Sequence, residues 1–266
     1  MVLKLIDELA KGALKVTSRS LAALPMGGSR RCVICDRRVG RFAPYEGGWG
    51  AAPPLLQALE VTGSDLDHFQ CPRCGSHDRE RHLFLYMTHT GMLSSLTGKC
   101  IVHFAPETHL SRIIAAQGLA KYVQCDLFPK SPKISREDLM SMSFDSETVD
   151  VFIANHVLEH VADDMQAMAE IRRVLKPGGV AILQTPFSPV LEKTWEDPGI
   201  VTLDARLQAY GQNDHVRLYG RDIFQRLASC GLIPRVQSHD EVLPEVNAGQ
   251  IGVNKREPFF VFERAV

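Results

Sequence analysis

Four of the seven cysteines in this 266-residue chain fall into two Cys-x-x-Cys pairs, Cys32-Val-Ile-Cys35 and Cys71-Pro-Arg-Cys74. A thiolate pair at that spacing grips one tetrahedral ion from a tight turn, and two pairs close its coordination sphere. The spacing predicts a structural Zn2+ held by Cys32, Cys35, Cys71 and Cys74, with redox cysteines or chance pairing as the alternatives. A glycine after the second pair, Gly75, suits such a turn. Arg30, Arg31, Arg37, Arg38 and Arg41 surround the first pair, and Arg73, Arg79 and Arg81 the second. They either offset the negative tetrathiolate and solvate a surface, or form a basic patch that grips RNA or an anionic substrate.

A second set of groups is spread along the rest of the chain. Ile101-Val-His-Phe-Ala-Pro-Glu107 reads as a strand, a turn and a helix start, where doubly wound folds bring backbone against a cofactor. Asp126 ends the next strand, where an acidic side chain can hold ribose hydroxyls. Histidine, with an ordinary pKa of about 6.5, suits proton transfer near neutrality, and His156 and His215 are the candidate bases. His215, Arg217 and Tyr219 alternate, so an extended segment puts them on one face. That face either lines an acceptor pocket, with Arg217 and Tyr219 binding substrate, or belongs to a surface strand. Trp195 either stacks on a substrate ring or fills core.

The elements that must position these groups follow from the hydrophobic pattern. From Cys100 onward, short apolar runs alternate with amphipathic segments, the signature of βαβ units and a mostly parallel sheet. Strands are expected over 100–105, 121–125, 149–154, 179–185, 232–237 and 257–263, and helices over 108–118, 160–174 and 220–230. A further helix is expected from Ser76 to about Leu96, joining a small cysteine module to the larger domain. Residues 187–218 break the rhythm, and a long irregular insertion after a strand's C-terminal end is a place for ligand. Residues 2–24 carry apolar positions at helical spacing, either an ordinary docking helix or a membrane-surface anchor. This divides the chain into a leader helix (1–28), a zinc-ribbon module (29–80) and an α/β domain (81–266).

Lys plus Arg (30) nearly cancel Asp plus Glu (31), so overall charge announces no nucleic-acid or membrane partner. No apolar stretch approaches the roughly 20 residues that cross a bilayer, and no signal peptide is evident, so a cytoplasmic location without stable membrane insertion is expected. No oligomeric state is implied.

Asp138-Leu-Met-Ser-Met-Ser-Phe144, Val149-Asp-Val-Phe-Ile-Ala-Asn-His-Val-Leu-Glu-His160 and Arg173-Val-Leu-Lys-Pro-Gly-Gly179 occur in fixed order. Over about residues 98–263 this resembles the class I S-adenosylmethionine-dependent methyltransferases, in particular a bacterial subgroup with a "VLEHV" segment and an N-terminal four-cysteine ribbon. The resemblance implies a Rossmann-like α/β fold, a seven-stranded sheet with its last strand antiparallel, and S-adenosylmethionine across the C-terminal ends of the first strands. It assigns Asp126 to the ribose, Asp138 and Leu139 to the adenine, and Asn155 with His156 to the methionine end and transferred methyl. Glu159 and His160 fall in the segment that opens the next helix. The family's first turn is usually acidic residue, then Gly-x-Gly; here His103 replaces the acid and Ala105-Pro106-Glu107 the glycines. Backbone can still approach over Ala105, and Glu107 can meet the cofactor's ammonium.

Methyl transfer from a sulfonium is an in-line displacement in which the protein supplies positioning and desolvation. The leading expectation is a methyltransferase acting on a small molecule or glycan precursor, the ribbon being structural. The alternatives are an RNA methyltransferase that uses the basic ribbon, and a non-catalytic protein whose altered first turn has lost the cofactor.

Overall fold

The computed structural model describes residues 29–266. The leader helix expected over 2–24 lies outside the described residues. The chain divides into two compact units: within the described residues the first comprises 29–51, 64–82 and 245–254, and the second 52–63, 83–244 and 255–266. The first unit thus recruits a segment from late in the chain.

The first unit is built on a two-stranded antiparallel ribbon, β1 (Arg30–Cys32) and β2 (Arg37–Val39), in which Cys32 pairs with Arg37. Among the described residues its core cluster comprises buried Cys32, Val39, Phe42 and Cys71, with Ile34, Cys35 and Cys74 against them. Arg81 is wholly buried here and replaces missing apolar mass with hydrogen bonds. It donates to the carbonyls of Ser76, His68, Ile251 and Gly252, and its guanidinium lies 4.1 Å from the Phe42 ring centroid.

The second unit holds a seven-stranded sheet. Its strands are β3 (Cys100–Phe104), β4 (Lys121–Asp126), β5 (Ser135–Arg136), β6 (Val149–Ala154), β7 (Leu175–Ile182), β8 (Leu232–Pro234) and β9 (Val261–Arg264). They lie in the order β5-β4-β3-β6-β7-β9-β8, and β9, last in the chain, runs antiparallel to both neighbours. This is the topology that the motif order implies. The central strands β3 and β6 are covered on both faces, which is why they read as near-continuous apolar runs rather than alternating ones.

Helix Asp164–Val174 shows how local sequence meets that core. Asp163 caps it by accepting from Gln166 N, and Ala167, Met168, Ile171 and Val174 recur on one buried face. Phe104, Phe152, Phe260 and Phe262 fill the centre, with the Phe104 and Phe152 rings stacked at 5.5 Å. Most expected elements appear with shifted ends. The Lys176-Pro-Gly-Gly179 segment lies inside β7, with a register irregularity between Val149 and Val151 on the partner. A Cβ on Gly179 would sit 2.8 Å from the Lys176 carbonyl oxygen, so the irregularity needs glycine. The insertion also contains a helix, Leu203–Tyr210, that the pattern did not reveal.

Candidate active site

Parallel register brings the functional side chains together. Phe104 pairs with Cys125 on one side and Ala154 on the other, so Ala105, Asp126 and Asn155 emerge side by side at the C-terminal edge. Ala105 takes a left-handed backbone conformation (φ 45°) and is exposed, occupying the geometry a glycine would take at this turn. Its N–H donates to the Cys125 carbonyl at 2.8 Å, tying the turn to β4.

Behind the turn lies a polar chain. The buried His103 ring contacts the Tyr122 hydroxyl through Nδ1 (2.9 Å) and Glu107 Oε2 through Nε2 (3.2 Å). Asn155 Nδ2 donates to Glu107 Oε1 at 2.5 Å. Burial pushes the Tyr122 hydroxyl well above its ordinary range, so it stays protonated. The Asn155 Oδ1 is buried and has no hydrogen-bond partner among the described residues. An unmet buried acceptor beside a carboxylate is a place for a cationic donor. Tyr122 had no motif to announce it.

Asp126 is half-buried, and its Oδ1 accepts from Phe128 N at 2.8 Å. Phe128 itself is 72 % exposed and Leu127 42 %, unusual for large apolar groups beside a sheet edge. Asp138 Oδ1 closes its own turn by accepting from Met140 N. The Leu139 side chain is buried in the core, which leaves that segment's backbone, not the leucine, to meet a ligand.

His156, expected as a base, is clamped instead. Its backbone is left-handed (φ 56°), and its N–H donates to the Gln184 carbonyl. Nδ1 faces Glu159 Oε1 at 3.5 Å and Nε2 faces Glu257 Oε1 at 3.1 Å. Burial opposes charge on the ring, but the two carboxylates outweigh it and push its pKa up to about 9. Glu159, although desolvated, is held well below the usual carboxylate range by His156 and the neighbouring histidines. With both nitrogens engaged, His156 offers no lone pair for a proton. Glu257 and Gln184 come from segments far along the chain, and no local pattern marks them.

The alternating segment His215, Arg217, Tyr219 does share a direction, but it points into the unit rather than into an open pocket. Arg217 is buried and donates to the carbonyls of Leu158, Val161 and Ala162, and to Glu196. Tyr219 donates to Asp164 Oδ2 at 2.9 Å. The substrate-binding expectation for Arg217 and Tyr219 is therefore corrected: alternation predicts a common face but not which way it looks. They hold the 158–164 segment in place, together with Arg226, which donates to both Asp164 carboxylate oxygens at 2.7 Å. His215 is buried, with Nδ1 donating to the Tyr210 carbonyl. Trp195 fills a small satellite core against Tyr210 and Leu218.

In the first unit the ligand atoms of Cys32, Cys35, Cys71 and Cys74 all lie within 4.8 Å of one another. Each pair is followed by a left-handed residue, Asp36 (φ 56°) and Gly75 (φ 82°), which turns the chain back on itself. Hydrogen bonding between the two thiols draws Cys32 down and pushes Cys71 up. Of the flanking arginines, Arg31, Arg37, Arg38, Arg41 and Arg73 are exposed.

Residues 105–183 match the family model described as "Methyltransferase domain". The chain is 31 % identical over 98 residues to an uncharacterised 37.1 kDa protein in transposon TN4556 of Streptomyces fradiae, a stretch covering 37 % of this chain and 24 % of that relative. It thus spans about a quarter of that relative's length. Among solved structures it is similar to an S-adenosylmethionine-dependent methyltransferase from Mesorhizobium loti (15 % identity, TM-score 0.45, covering 66 % of this chain and 96 % of that one). It is also similar to the Burkholderia thailandensis 1,6-didemethyltoxoflavin-N1-methyltransferase (13 % identity, TM-score 0.46, covering 68 % of this chain and 79 % of that one).

Proposed function

We propose that the chain, whose residues 105–183 match a methyltransferase domain, is an S-adenosylmethionine-dependent methyltransferase that transfers a methyl group from that cofactor to a small molecule or glycan precursor. The observation that carries the reading is the alignment of Ala105, Asp126 and Asn155 at one sheet edge, with an unpartnered Asn155 Oδ1 beside Glu107.

The residues present fit the cofactor. Asn155 Oδ1 and Glu107 would accept from the ammonium of its methionine part, and Asp126 would hold the ribose hydroxyls. The exposed Phe128 ring would cover the adenine, and the backbone at Asp138 and Leu139 would line its far edge. Bound S-adenosylmethionine would supply an electrophilic methyl on a sulfonium centre. The protein's part is then to fix the line of approach and keep out water. His156, pinned between Glu159 and Glu257, would hold the backbone at the strand end rather than move a proton. The altered first turn keeps its shape because Ala105 accepts the left-handed conformation, which speaks against a cofactor-free relative.

The four-cysteine cluster would hold a structural zinc, its thiolate charge offset in part by the buried Arg81. All seven cysteines are free of disulfides, which fits a reducing, cytoplasmic setting. Among the described residues no helix is long and apolar enough to cross a membrane. A small acceptor is supported by the near-neutral charge and by Val190, Val201 and Leu203, exposed on the insertion that follows β7. The five exposed arginines of the cysteine unit favour a second reading, in which the acceptor is RNA.

Ultraviolet irradiation with methyl-tritiated S-adenosylmethionine tests the site. Label should map to peptides spanning 105–156; label elsewhere, or none, would overturn the reading.

A further inference from the structure

Glu159, His160 and His215 form a second cluster, of which the methyl-transfer reading uses only Glu159, through the Oε1 that faces His156 Nδ1 at 3.5 Å. One ligand atom from each lies within 4.8 Å of the others. The two imidazole rings meet edge to face, their centroids 4.6 Å apart. Backbone pairing builds the cluster, since Val216 N donates to the Glu159 carbonyl at 2.9 Å and sets the His215 segment against the 158–160 turn.

Each histidine has an oxygen partner on its Nδ1. His215 Nδ1 must be the protonated nitrogen, because its partner at 3.0 Å is the Tyr210 carbonyl, which only accepts. The lone pair is therefore on Nε2, which is buried and has no partner among the described residues. His160 Nδ1 faces Asp214 Oδ2 at 3.3 Å, which leaves its Nε2 likewise for a ligand bond. A carboxylate or carbonyl behind each ring is the outer-shell arrangement that fixes tautomer and aim in metal sites. Glu159 is buried, with Oε2 accepting from Thr185 Oγ1. Donors around one ion at ordinary bond lengths of about 2.0–2.2 Å sit about 3–4 Å apart, so the side chains need only small adjustments.

We infer that Glu159, His160 and His215 bind a divalent transition cation of the Zn2+ class. Two imidazoles and one carboxylate leave a coordination position open, as in sites that handle a substrate. Resting on the methyltransferase reading, the cation's task is to bind an acceptor oxygen. There it eases loss of the hydroxyl proton to solvent; the oxygen then forms its bond to the methyl carbon as the carbon–sulfur bond breaks, leaving a neutral thioether. This removes the need for a histidine base at a place where His156 has none to offer.

The test is Co2+ titration of the metal-stripped full-length protein, followed by absorption. Wild type should show intense thiolate charge-transfer bands from the cysteine cluster and separate weak d–d bands of a nitrogen and oxygen site. His215→Ala should lose the weak bands and keep the intense ones, and Asp214→Asn should weaken the second site about tenfold. Should His215→Ala misfold, the half-exposed His160→Gln serves the same purpose. Thiolate bands alone in wild type, or weak bands surviving both histidine substitutions, would overturn the inference. S-adenosylhomocysteine binding, measured in parallel, separates the two readings: cofactor binding without the second Co2+ sinks only the cation site, and the second Co2+ without cofactor binding sinks only methyl transfer.

Discussion

In the sheet unit, phenylalanines from β3, β6 and β9 meet the apolar faces of flanking helices, and the core runs from Val102 to Phe262. Among the described residues of the cysteine unit the buried apolar side chains other than cysteine are Val39, Phe42 and Val253, and a buried arginine stitches loops through their carbonyls. One unit is held by area removed from water and the other by directed bonds. If the cysteines hold zinc as proposed, a unit with so little apolar mass among its described residues would depend on that cross-link, whereas the sheet would not.

The sharpest way to break this contrast is to remove the proposed zinc. Cys71→Ser or a strong chelator should unfold the cysteine unit, since structural zinc contributes on the order of 10 kcal/mol to such modules. Hydrogen exchange should then show amides of 30–39 and 65–76 losing protection while those of β3 and β6 keep theirs. Simultaneous loss in both units would contradict the comparison.

The converse experiment strikes the sheet. Phe152→Ala, at a fully buried position, should cost about 3–5 kcal/mol in denaturant unfolding and leave bound zinc unchanged.

An electrostatic test comes next. Burial opposes charge on Asp164, but donation from Arg226 and the charges of Arg217 and Arg226 hold its pKa below the ordinary value. A depressed folded-state pKa contributes stability that is present above the unfolded value of about 3.9 and is lost as pH falls through the folded one. Wild type should therefore destabilise on acidification below about pH 4, and Asp164→Asn should be less stable by about 3 kcal/mol at neutral pH with a flatter acid limb. Equal acid slopes in the two proteins would show that the pair carries no such load.

The smallest effect is expected at the first turn. Ala105 occupies a left-handed conformation that costs an L-residue about 1–2 kcal/mol, so Ala105→Gly should be neutral or raise stability by up to about 1 kcal/mol. A loss above that would mean that the alanine side chain is itself a packing element.

What could be read in the sequence was whatever is local. β3 and β6 stand out because strands buried on both faces leave near-continuous apolar runs; Asp126 was legible as the acid that ends the next strand, and Asn155 through the motif order of the family that the chain resembles. The four cysteines are legible because their spacing is a chemical constraint. Glu257 and Gln184, which fix His156, are more distant in the chain, and only the fold puts them there. Arg217 illustrates the remaining gap: its alternation with His215 and Tyr219 is visible, but the carbonyls of 158–162 that consume its guanidinium are not. Residues 245–254 likewise belong to the cysteine unit for reasons no local pattern encodes.

The central claim is that the strand ends of the sheet unit bind the methyl donor, and calorimetric titration of the zinc-loaded protein with S-adenosylhomocysteine tests it most directly. Micromolar binding in wild type, weakened at least tenfold by Asp126→Ala while the fold is retained, is the predicted result, a difference of about 1.4 kcal/mol or more. No heat at millimolar ligand, or equal affinity in the two proteins, would contradict it.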